Sequence, residues 1–86
     1  MAKQTYLAKI YVTLKPGVND PQGLTVKGAL HNLGFDEVTK VRQGKFIELW
    51  VEDSDKTNAE QQVNDMCVKL LSNPIIENYR LELENA

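Results

Sequence analysis

The chain holds one cysteine, one histidine and one tryptophan in 86 residues. A lone thiol excludes an intrachain disulfide, and with a single imidazole no Cys/His metal set can be assembled. A reducing cytosol is the expected compartment. Long apolar runs are missing as well. Nothing approaches the roughly 18 apolar residues of a membrane span, and Met1-Ala2-Lys3-Gln4-Thr5 lacks the apolar run of a signal peptide. The expectation is a soluble, cytoplasmic chain with no membrane partner. An excess of positive charge is absent too: the formal net charge is −2, which leaves no basic field to attract nucleic acid.

What is present is ordinary globular composition, 42% hydrophobic and 26% charged, arranged as a single domain over residues 1–86 with a flexible lead-in at 1–5. A domain this small buries a smaller share of its surface than a longer one, so a partner is physically welcome. Residues 6–14 alternate, with Tyr6, Ala8, Ile10, Val12 and Leu14 on one side, and read as a first strand. Lys15-Pro16-Gly17 ends it. Asp20 offers an N-cap carboxylate and Pro21 suits the first helical position. Val26, Ala29, Leu30 and Leu33 then form one helical stripe, closed by Gly34 as a left-handed C-cap. Residues 35–42 read as a second strand of modest regularity, Gln43-Gly44 as a hairpin turn, and residues 46–52 as a third strand. Thr57 and Glu60 have the spacing of a capping box. The helix they open carries Ala59, Val63, Met66, Cys67, Leu70 and Leu71 on one face, until Asn73-Pro74 breaks it. A last strand spans residues 76–83.

The order β-α-β-β-α-β predicts an α+β fold: a ferredoxin-like, four-stranded antiparallel sheet with two helices on one face. In that topology the 16–22 loop, the 42–45 hairpin and the 72–74 turn share one edge. On the opposite sheet face stand Phe46 and Trp50, with Tyr11 as a neighbour, and gathered aromatics there suggest a homo-oligomer formed through the sheet. The competing expectation is that these rings are merely half exposed.

Catalytic equipment is scarce. His31 lies away from the apolar stripe of its helix and reads as a solvated surface histidine. Cys67 sits within an apolar stripe and reads as an inert buried thiol. Asp53 and Asp55 precede a helix without the ligand count of a calcium loop. Glu48 and Glu52 share a strand face with no partner to perturb them, and would repel a phosphate backbone, which argues against an RNA-recognition surface despite the shared element order. The glycine-bearing turns carry neither a P-loop nor a GxGxxG spacing. Physics alone leaves open a stand-alone small-ligand regulatory module of this architecture, whose sites form from ordinary turns at subunit interfaces.

Val12-Thr13-Leu14-Lys15-Pro16-Gly17-Val18, Asp20-Pro21-Gln22-Gly23, Leu33-Gly34-Phe35 and Val41-Arg42-Gln43-Gly44-Lys45 occur in that order, followed by Cys67-Val68-Lys69-Leu70-Leu71-Ser72-Asn73-Pro74-Ile75-Ile76-Glu77-Asn78-Tyr79. This succession resembles the PurS family, small subunits of phosphoribosylformylglycinamidine (FGAM) synthase, from about Tyr6 to Leu83. The departures are a longer lead-in and the choice of Ser72 and Ile75. The resemblance implies a non-catalytic subunit in purine biosynthesis that bridges a glutaminase subunit and a synthetase subunit and assists ammonia transfer between them. It implies no cofactor in this chain, with ATP and magnesium held by the synthetase, and association into dimers or tetramers. The residues expected at the subunit interface are Asp20, Gln22, Arg42, Gln43, Lys45, Asn73 and Glu77, polar groups at the shared edge. Tyr11, Phe46 and Trp50 are expected to serve self-association.

Overall fold

The computed structural model describes residues 3–86. They form β1 (Gln4–Leu14), α1 (Pro21–Asn32), β2 (Lys45–Asp53), α2 (Lys56–Met66), a π-helical turn (Cys67–Leu71) and β3 (Glu77–Asn85). Met1 and Ala2 of the lead-in lie outside the described residues. Gln4 and Thr5, expected to belong to it, are in β1 opposite Asp53 and Glu52.

Side-chain alternation sets the sheet. The three strands pair antiparallel in the order β2-β1-β3, with Ile10 opposite both Ile47 and Leu81. Because successive side chains point to opposite faces, this register puts every large apolar group of β1's even-numbered positions on one side. Tyr6, Ala8, Ile10 and Val12 are buried there, flanked by Ile47, Leu49 and Val51 from β2 and Tyr79, Leu81 and Leu83 from β3. α2 closes over them with Ala59 and Val63, and Cys67 follows from the π turn, all fully buried. Tyr79 ties β3 to α2 through its hydroxyl, which donates to Asn64 Oδ1 at 3.0 Å.

The α+β architecture is therefore present, with three strands where four were expected. The missing one is the segment 35–42, which turns at Asp36-Glu37 and pairs with no strand. Neither of its faces is apolar: Phe35, Glu37, Thr39 and Val41 alternate with Asp36, Val38, Lys40 and Arg42, so pairing would bury no apolar stripe. Gln43-Gly44 accordingly is not a hairpin. Gly44 is required by close approach, since a Cβ there would collide with the Val12 carbonyl oxygen.

The two helices also do not share one face. α1 is capped as expected, with Asp20 accepting from Gly23 N–H at 2.9 Å, Pro21 in the first turn and Gly34 left-handed at φ 96°. It contributes nothing to the core cluster. Its stripe is largely open: Leu33 is 74% exposed, Val26 and Ala29 are exposed too, and Leu30 is half-buried. The side that does have a neighbour carries Gly23, Lys27 and His31, at i, i+4 and i+8, with Gly23 buried and the other two half-buried. His31, expected to be solvated, is half-buried and its Nε2 donates to the Val38 carbonyl at 2.8 Å, clipping the 35–42 strap to the helix. α1 and this strap thus form an arm beyond the sheet. The radius of gyration, 17.0 Å with principal extents of 57 × 26 × 14 Å, exceeds the roughly 12 Å of a compact domain of this length.

α2 differs from expectation at both ends. Its N-cap is Asp55, accepting from Thr57 N–H at 3.1 Å, in place of a capping box at Thr57 and Glu60. At the far end the Ser72 N–H and Oγ both reach the Cys67 carbonyl at 2.9 Å. The wider turn rotates the last side chains off the helical stripe. Leu70, expected in the core, is consequently 82% exposed; Met66, also expected there, precedes the turn and is 37% exposed.

Candidate docking edge

Hydrogen bonds bring the three turns together at the end of the sheet where β1 stops. Lys15 N–H donates to the Ile76 carbonyl at 2.8 Å, joining the first turn to the last. Arg42 Nη2 donates to the Leu14 and Lys15 carbonyls, each at 3.0 Å, joining the second turn to the first. Asp20 is the keystone. One carboxylate oxygen caps α1 through Gly23, and the other accepts from Gln43 N–H at 2.9 Å. Those two backbone donors, Gln43 first and then Gly23, hold its carboxyl below the usual aspartate range, against the opposing effect of burial.

Asp20, Gln22, Gln43, Lys45 and Glu77 line one cavity of about 380 Å³ with Val12, Leu14 and Gly44. Five of the seven expected interface residues therefore converge on it. Arg42 stands on an adjoining cavity of about 210 Å³ that shares Asp20. Asn73 lines neither. Its Oδ1 accepts from Ile75 N–H at 3.1 Å and its own N–H donates to Glu77 Oε1, which makes it a turn former. Glu77 also faces Lys45 Nζ at 3.8 Å, so much of the acidic character of the edge is consumed internally. Sequence reading missed Lys27 and Lys40, which join Arg42 on the smaller cavity. Their signal was present only as a lysine three residues after Leu24, on the side of the helix away from the apolar stripe.

The aromatic face is real but only partly open. Tyr11 is half-buried, its ring 5.0 Å from Phe46 and covered by Arg80 at 4.2 Å. Phe46 and Trp50 are 53% and 61% exposed. Lys9 and Glu84 pair at 3.1 Å on the same face, and that carboxylate raises the lysine's proton affinity, first by hydrogen bonding and then by its charge. Elsewhere, Asp53 accepts from Asp55 N–H and from Asn58 Nδ2 at 2.7 Å, so the acidic pair before α2 is a helix-entry device. Burial pushes the Cys67 thiol up, as expected for an inert core cysteine. Among the described residues, no three His, Cys, Asp or Glu side chains cluster as a metal site, and no helix is long and apolar enough to cross a membrane.

Residues 7–85 match the model of a family described as PurS: phosphoribosylformylglycinamidine (FGAM) synthase. The chain belongs to the PurS family. The phosphoribosylformylglycinamidine synthase subunit PurS of Synechocystis is 49% identical over 79 residues, 92% of this chain and 79% of that protein. The solved structure of Bacillus subtilis PurS superposes with a TM-score of 0.85 at 49% identity, covering 93% of this chain and 99% of that one. A chain of PurLQS from Thermotoga maritima superposes with a TM-score of 0.84 at 34% identity, covering 93% and 98%. PurS membership selects the assembly-subunit reading over the stand-alone regulatory module, and the three turns that carried the resemblance are the ones that form the edge.

Proposed function

We propose that this chain is the non-catalytic small subunit of an FGAM synthase, working in cytoplasmic purine biosynthesis and holding a glutaminase and a synthetase subunit together through the turn edge. The observation that carries the reading is its likeness to a chain of the PurLQS assembly. In that scheme the glutaminase releases ammonia from glutamine, and the synthetase uses ATP and magnesium to convert formylglycinamide ribonucleotide to its amidine. This chain holds no cofactor. Its contribution is a water-excluding junction, which keeps ammonia from protonation and escape between the two centres.

Asp20, Gln22, Arg42, Gln43, Lys45 and Glu77 are the proposed contacts, with Asn73 shaping the turn beneath them. Arg42→Ala with Lys45→Ala is expected to weaken co-purification with the two large subunits and lower glutamine-dependent activity while circular dichroism stays unchanged. Lys45→Ala alone, at an exposed side chain whose one close ion-pair partner is Glu77, is the variant least able to disturb the fold. Undiminished assembly with both variants would sink the assignment of this edge.

We further propose a second copy of the chain as the partner of the arm. An α1 stripe without a sheet and a sheet whose flanks are half covered are complementary, and two-fold symmetry would supply each copy's cover from the other. The Tyr11, Phe46 and Trp50 face is the proposed contact for any larger assembly of such dimers.

A further inference from the structure

The smaller cavity has a character the rest of the molecule lacks. Its lining mixes the apolar Val18, Leu24 and Val41 with Lys27, Lys40 and Arg42. The one acid that lines it is Asp20, and both Asp20 oxygens already accept backbone hydrogen bonds. Among the described residues, none of the three cations has an ion-pair partner. Arg42 is held in place by the Leu14 and Lys15 carbonyls through Nη2, so both two-pronged edges of its guanidinium are engaged, and Nε and Nη1 are each left to offer a single charge-assisted hydrogen bond. In a chain of net charge −2, three cations against the single carboxylate of Asp20 are a local reversal of sign.

We propose that this cavity receives an acidic side chain, Asp or Glu, projecting from a large subunit docked on the turn edge; the inference rests on the docking reading above. The hollow, about 210 Å³, falls below the roughly 300 Å³ at which small-molecule pockets begin, so it suits one side chain. Val18, Leu24 and Val41 match the methylene stem of such a residue, and Lys27, Lys40 and Arg42 match the carboxylate. The cavity lies on the strap side of α1, with Leu24 and Lys27, and leaves the Val26/Leu33 stripe free for a second copy of the chain.

The test uses the full chain with both large subunits, their association measured at low and high salt. Lys27→Gln with Lys40→Gln is expected to weaken association by at least about tenfold, the size of one lost charge-assisted hydrogen bond, and to flatten the salt dependence. Lys27→Arg with Lys40→Arg is expected to restore both. Lys3→Gln with Lys56→Gln, at the opposite end of the sheet, is expected to change neither. Lys40→Gln alone, at an exposed position, serves if the double variant unfolds. Wild-type association by the glutamine variants, while Arg42→Ala with Lys45→Ala still weakens it, overturns the acidic-side-chain inference and leaves the docking edge standing. Unchanged association by both pairs overturns the edge and the inference together. Stabilisation by inorganic phosphate of the wild type and not of the glutamine pair, with assembly unaffected, overturns the inference in favour of a free anion.

Discussion

At the scale of single residues, Asp20 does the most with the least. Its carboxylate joins the root of α1 to the strap, and its proton affinity is depressed by the backbone donors of Gln43 and Gly23. A carboxylate with a folded pKa below its unfolded value contributes stability that is present above the unfolded value, about 4, and is lost as pH falls through the folded one. Asp20→Asn is therefore expected to lower the urea midpoint at neutral pH, with the gap to wild type narrowing as the pH drops below about 4. Asp53, lowered chiefly by Asp55 N–H, keeps some acid sensitivity in the variant. A gap that stays constant across that range would show that Asp20 acts through packing alone. Asp20 was legible in the sequence as a cap preceding proline. Its second bond was not, because Gln43 lies 23 residues away and no local pattern encodes that meeting.

Among the elements, β1 and α2 were the most legible and the strap the least. Strict alternation in β1 and the Ala59, Val63, Cys67 spacing in α2 each record a single burying face, so period alone located the core. Residues 35–42 have no such face, and their place is set by distant bonds from His31 and Arg42. The π turn was equally hidden: nothing in Cys67-Val68-Lys69-Leu70-Leu71 distinguishes it from a last α-helical turn, on which Leu70 would share the face of Val63. The structure separates the two, with Val63 fully buried and Leu70 82% exposed. Val63→Ala is expected to cost more than about 1 kcal/mol and Leu70→Ala to fall within about 0.5 kcal/mol of wild type, despite the larger side chain. Denaturant melts of the two variants decide it; the reverse order would mean that Leu70 is covered in the folded state.

On the scale of the whole molecule, the sheet's strand order is the one that the ferredoxin-like reading puts around its first strand, with α1 and the strap standing outside it as an arm. The three-turn edge followed from topology and is present because β1, the strap and the turn before β3 all end there. The arm did not follow, since a helix stripe read from sequence does not say whose sheet it covers. Val26→Glu with Leu33→Glu is expected to convert a sedimenting oligomer to a 9.7 kDa monomer of unchanged helix content. A wild-type chain that sediments as that monomer at micromolar concentration would remove the case for a second copy. The pair of hydrogen bonds accepted by Asp20 then takes on a mechanical meaning. α1 is a lever about 18 Å long whose root is pinned by one carboxylate, so a rotation of about 10° at the pin carries the far end about 3 Å, most of the gap between neighbouring strands. Where the arm lands is decided at its fixed end, and a proton on Asp20 would act there as a loosened bolt.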